Sequence, residues 1–118
     1  SYGNGSGHYY LFAYGYRTSN YGVAFTAYFN DLETSVTVPT GWHHLAVTYD
    51  LTDVKLYLDG TLIATRTTSN IDTQSSDIVI GARSYNASEW CEDAWFTAAR
   101  IYNRALTQDE ITALAGEF

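Results

Sequence analysis

Apolar and polar residues alternate along residues 43–49 and again along 54–58, and a two-residue corner separates the second run from a third. Leu45, Val47 and Tyr49 share one parity; His44, Ala46 and Thr48 share the other. Successive side chains of an extended chain face opposite ways, so each parity is one face of a strand. Val54, Leu56 and Leu58 then form an apolar row opposite Asp53, Lys55 and Tyr57. Asp59-Gly60 supplies the two residues with positive φ that a type I′ hairpin turn needs. The expected register sets Leu58 against Thr61, Leu56 against Ile63 and Val54 against Thr65. A slip of one residue would turn the apolar row to water.

The same patterning predicts strands over 8–14, 21–30, 33–38, 77–82 and 95–102, with polar turns or loops over 15–20, 67–76 and 85–93. Pro39-Thr40-Gly41 breaks the chain before the first hairpin strand. One helix is expected, over 107–115. Thr107-Gln108-Asp109-Glu110 reads as a capping box, Leu106 and Ile111 as its hydrophobic staple, and Gly116 as its C′ residue. Many short, evenly spaced strands with one late helix predict an all-β antiparallel sandwich. A length of 118 residues fits a single domain over 1–118, with a Gly/Ser/Asn-rich flexible lead over 1–7. A chain that begins at Ser1 reads as a processed product or part of something longer.

Composition narrows the partners. The net charge is −7, which argues against nucleic acid and anionic membranes and makes a cation the more natural small ligand. No apolar run approaches the about 20 residues of a membrane-spanning helix. The chain carries 11 Tyr, 3 Trp and 5 Phe but no Met. Tyrosine packs its ring while its hydroxyl stays wet, which suits sandwich faces, sugar-binding surfaces and self-associating surfaces alike.

The words Gly41-Trp42-His43-His44-Leu45-Ala46-Val47-Thr48-Tyr49-Asp50, Leu56-Tyr57-Leu58-Asp59-Gly60, Ile80-Gly81 and Arg100-Ile101-Tyr102-Asn103-Arg104-Ala105-Leu106 follow one another from about Tyr9 to Ile111. Their order and spacing resemble the laminin G-like, concanavalin A-like lectin/glucanase jelly-roll family. The resemblance implies a curved two-sheet antiparallel jelly roll, to which the capped segment 107–115 adds one short C-terminal helix. It also implies an extracellular or cell-surface setting, with members that bind glycans, matrix or proteins, and often a Ca²⁺ at one rim. Three departures stand out. The family's opening strand has no counterpart before Tyr10, so an edge would be completed within a longer chain or by a neighbour. The family's acidic position ahead of Arg100-Ile101-Tyr102 is Thr97. The Asp-Tyr pair of calcium-binding relatives is Asn20-Tyr21, which keeps a carbonyl ligand but loses its charge.

Candidate chemistry follows from residue type. Sugar rings stack on exposed aromatics while amides read hydroxyls, which singles out Tyr16, Tyr21, Tyr85, Asn86 and Trp90; core packing is the competing role for each aromatic. Asn20, Glu92 and Asp93 are the oxygen donors for a calcium ion. Asn4 and Asn86 head N-glycosylation triplets. Cys91, alone in the chain, is a candidate for a disulfide with a partner elsewhere or for a reduced buried thiol. Glu89 and Asp93 share a parity, as catalytic carboxylates of jelly-roll glucanases do, but Cys91 stands where the central acid belongs. His43 and His44 are neighbours on a strand and face opposite ways, so they cannot grip one metal together.

These features predict a non-catalytic extracellular recognition or adhesion module for glycans or surface proteins. The alternative is a structural subunit of an extracellular filament, a homo-oligomer completed by strand pairing with neighbours. A fragment of a glycan-active enzyme is the third reading.

Overall fold

The computed structural model describes residues 11–14, 22–26, 31–68, 71, 78, 80–81 and 94–117. Among these, six strands form two antiparallel sheets. The first holds β1 (Leu11–Tyr14), β2 (Val23–Thr26) and β3 (Leu32–Glu33) in that order, with Phe12 opposite Phe25 and Phe25 opposite Leu32. The second holds β4 (Leu45–Tyr49), β5 (Asp53–Leu58) and β6 (Thr61–Thr67), again in sequence order.

The sheets meet through the alternation that the sequence displays. Val54 and Leu56 on β5 are buried together with Val23 and Leu32 of the facing sheet. Leu45, Val47 and Tyr49 pack against this cluster from β4, as do Phe25, Ile63 and Ala64. Full burial of an aliphatic side chain contributes about 1.5–3 kcal/mol, so this row is the main adhesive between the layers. The architecture is a two-sheet sandwich with one short helix.

The Asp59-Gly60 turn has φ 50° and 82° and joins Leu58 to Thr61, as expected. The register then departs from the expected one. Tyr57 pairs with Leu62, but Leu56 pairs with Ala64 and Val54 with Arg66, because Ile63 is an extra residue in β6. This bulge lets Ile63 and Ala64 both reach the core cluster. It also turns Arg66 toward the facing sheet, where its guanidinium donates to the carbonyl of Asp31.

Three other expected elements change. The ladder of β3 covers Leu32–Glu33 rather than 33–38; at Thr34 the backbone still bonds to Val23 and Gly22, and the side chain takes the Val23 N–H out of the regular pattern. Residues 94–102 form no strand, and neither do residues 78, 80 and 81; strand geometry depends on a paired neighbour, and no described strand pairs with either stretch. The helix α1 (Gln108–Ala115) starts on a complete capping box: Thr107 Oγ1 accepts from the Glu110 N–H, and Glu110 accepts from the Thr107 N–H at 2.8 Å. Gly116 is right-handed at φ −76°, not left-handed. The N–H groups of Gly116 and Glu117 bond to the carbonyls of Thr112 and Leu114, so the last turn tightens instead of reversing.

Candidate functional site

Two features of the second sheet stand apart from core packing. The first is the corner at Asp59. Its carboxylate accepts the His44 N–H at 2.9 Å and lies 2.7 Å from His43 Nδ1, while the Asp59 N–H donates to the His44 carbonyl at 2.8 Å. One acid thus ties the hairpin turn to the start of β4. Desolvation pushes the Asp59 carboxyl up, but the hydrogen bonds from the His43 ring and the His44 N–H outweigh it and hold the group below the ordinary carboxylate range. Asp59 in turn raises the imidazole of His43 above its usual value, with support from the backbone of Thr40 and Pro39. His44 moves the other way, because burial disfavours its charged form and Arg100 adds repulsion.

The helix hangs on the same corner. The Gly60 carbonyl accepts from Gln108 Nε2 at 2.5 Å and from Thr112 Oγ1 at 3.5 Å. A Cβ at Gly60 would lie 3.2 Å from the Thr112 Cα and 3.3 Å from the Ala115 Cβ, so this glycine serves both the turn's positive φ and the close approach of α1.

The second feature is the segment 94–104 that precedes the helix. Trp95 is 85% exposed, Phe96 62% and Ile101 73%, in a stretch without a strand ladder. Gly81 adjoins Phe96, and the neighbouring Ile78 and Ile80 are exposed as well. Thr97, at the position where the resembling family carries an acid, is exposed. The arm is held at two points by ion pairs to the helix region, Arg100 to Glu117 at 2.5 Å and Arg104 to Glu110 at 2.7 Å. A monomer rarely leaves so many large apolar side chains together in water unless they meet something.

The residues singled out for glycan binding (Tyr16, Tyr21, Tyr85, Asn86 and Trp90) lie outside the described residues. So do Asn20, Glu92 and Asp93 for calcium, the glycosylation candidates Asn4 and Asn86, and Cys91 and Glu89. Among the described residues no group of three or more His, Cys, Asp or Glu is placed to hold a metal ion. Also among them, no helix is long and apolar enough to cross a membrane. His43 and His44 precede β4, and Asp59 joins them through the ring of the first and the backbone N–H of the second. The sequence signal for that role was available: Asp59 follows the residue paired with Leu45, which brings its side chain beside the two histidines.

Two antiparallel sheets packed through aliphatic rows, with a capped helix on a hairpin corner, define a lectin-type β-sandwich. The chain belongs to the concanavalin A-like lectin/glucanases superfamily, whose laminin G-type family model matches residues 1–112. No curated protein matches the chain. Among solved structures it is similar to an S-layer domain-containing protein from Clostridium thermocellum, at 19% identity and a TM-score of 0.53. That match covers 98% of this chain and 66% of the other, so the chain spans just under two thirds of its length.

Proposed function

We propose that the chain is a non-catalytic extracellular recognition module that engages a surface polypeptide through residues 94–102 and the adjoining Ile78 and Ile80. The exposure of Trp95, Phe96 and Ile101 on a stretch without a ladder carries this reading. Aromatic side chains are enriched where proteins meet, and a backbone without a ladder can take an added strand from a partner. The occurrence of this fold in an S-layer domain-containing protein supports an extracellular setting. Four of the described acids are engaged structurally, which supports a non-catalytic role: Asp50, Asp59, Glu110 and Glu117 hold turns, helix or arm.

The test compares wild type with a Trp95→Ser, Phe96→Ser double variant on a panel of purified surface polypeptides and on a glycan array. The expected result is polypeptide binding that falls at least tenfold in the variant while the circular dichroism spectrum is unchanged. Equal binding by both proteins would overturn the reading, as would binding confined to glycans. The latter would return attention to Tyr16, Tyr21, Tyr85, Asn86 and Trp90, and calcium-dependent glycan binding would implicate Asn20, Glu92 and Asp93.

A second reading, a structural subunit joined by strand pairing, is favoured by one observation. Among the described residues, β4 and β6 are each paired on one side only. Such edges template further strands. Light scattering across a hundredfold concentration range tests it, with growing assemblies expected on this reading and a constant monomer mass against it.

A further inference from the structure

Two adjacent histidines meet one carboxylate at the corner that carries the C-terminal helix, and their rings lie in opposite electrostatic settings. His43 Nδ1 is 2.7 Å from Asp59 Oδ2. His44 uses its backbone for Asp59, leaving its ring to face the arm and the end of the helix region. The ring's Nδ1 is buried without a hydrogen-bond partner, and so is His43 Nε2.

Among the described residues, the charged groups around each ring are few. His43 faces Asp59, with the backbone of Pro39 and Thr40 beside it. His44 faces Asp59 from the turn, and Arg100 and Glu117 from the C-terminal segment. A proton added to His43 goes to Nε2, which is buried without a partner, but the cation so formed turns the Nδ1 contact with Asp59 into a charge-assisted hydrogen bond. A proton on His44 Nδ1 would leave a buried N–H without an acceptor, on a cationic ring beside Arg100.

We propose that His43 and His44 form a pH-responsive clasp, which holds the hairpin corner and its helix most firmly at mildly acidic pH and releases the C-terminal segment on further acidification. The sign of each contribution follows from linkage. His43 is raised in the folded chain, so its contribution is fully present below the unfolded value near 6.5 and fades as pH rises through the folded one. His44 is lowered, so its contribution is present above 6.5 and is lost as pH falls through its folded value. Acidification from pH 8 therefore tightens the corner first and then loosens it. The carboxylates with resolved shifts are all lowered, so they titrate below this window. The inference is independent of what the arm recognises.

The experiment is a melting-temperature profile from pH 5 to 8.5 on the full chain, with amide hydrogen exchange of residues 108–117 followed in parallel. Wild type should show a maximum near pH 6.5, with helix exchange accelerating severalfold by pH 5. His43→Gln should lose the rise and keep the acid fall; His44→Gln should keep the rise and lose the fall. Each variant isolates its ring from His8, which lies outside the described residues. Histidine NMR titration of wild type needs no variant and should place one imidazole above 6.5 and its neighbour below. A flat wild-type profile, identical profiles in the two variants, or two neighbouring rings titrating together would overturn the proposal.

Discussion

The hydroxyl of Thr34 takes the N–H of Val23 at 3.2 Å and returns its own proton to the carbonyl of the same residue at 3.0 Å. Thr34 is 7% exposed and Val23 fully buried, so the exchange takes place inside the sandwich where the regular β3 ladder ends. Two ladder-like hydrogen bonds are thus made by one side chain.

Replacing Thr34 by Val keeps the shape and deletes both bonds. A hydrogen bond contributes about 0.5–1.5 kcal/mol net, so Thr34→Val should lower stability by about 1–3 kcal/mol. Thr34→Ser keeps the hydroxyl and should lose less. Urea unfolding checks both, and a Val variant as stable as the Ser variant would remove the hydroxyl from the account.

Gly22 is pressed against the same region. A Cβ built there would lie 1.5 Å from the Val36 carbonyl oxygen and 2.4 Å from its carbon, both main-chain atoms that cannot swing aside. Gly22→Ala should therefore cost at least the upper part of the about 1–3 kcal/mol usual for overpacking. The expected signature is a lower urea midpoint, with β2 and the 34–36 stretch losing exchange protection first.

Leu51 offers the opposite case. It sits in the β4–β5 turn at φ 76° and is 79% exposed, while Asp50 Oδ1 accepts the N–H groups of Thr52 and Asp53 at 3.0 and 2.7 Å. Left-handed backbone costs a side-chain-bearing residue about 1–2 kcal/mol, and this side chain packs little in return. Leu51→Gly relieves that strain, less about 0.5–1 kcal/mol of added chain entropy. A small rise in melting temperature is expected; a fall would mean that the leucine side chain makes contacts worth more than the strain.

At the helix, Thr107→Ala should cost about 1 kcal/mol through loss of the cap. Acid should act on the same turn. Glu110 is lowered to about 2, chiefly by Arg104, then by the Thr107 N–H. Its contribution is complete above its ordinary value of 4.5 and is lost as pH falls from there through about 2. Far-UV circular dichroism between pH 5 and 2 should show the helix loosening over that range, and Arg104→Gln should move the onset to higher pH.

Much of this was legible from the order of residues. Alternation in residues 45–49 and 54–58, the Asp59-Gly60 corner and the Thr107–Glu110 box each depend on neighbours within one hairpin or one helical turn, and each formed. What escaped depends on partners far along the chain. Nothing local to Ile63 announces a bulge, and the contact that accompanies it, Arg66 to Asp31, reaches the other sheet. Nothing local to Thr34 says that its hydroxyl will meet Val23. The stretch 95–102 has the composition of a strand, yet a strand also needs a neighbour. As for the candidate site, the polar residues first considered lie outside the described residues, whereas the Asp59 corner was open to reading once the hairpin register was drawn.

The bulge in β6 has a consequence for how this strand tolerates changes of length. Ile63 is a supernumerary residue: pairing jumps over it, and every partner beyond it is set as though it were not there. Excising Ile63 would leave Ala64 opposite Leu56 and Arg66 opposite Val54, an uninterrupted ladder with the strut to Asp31 still aimed inward. Excising Ala64 or Thr65 would close the ladder equally, with Ile63 moving opposite Leu56 and Arg66 still opposite Val54, whereas excising Arg66 removes the strut itself. Within this seven-residue strand the spare residue belongs to the span between Leu62 and Arg66, and loss of any one of the three residues there leaves the frame beyond it unchanged.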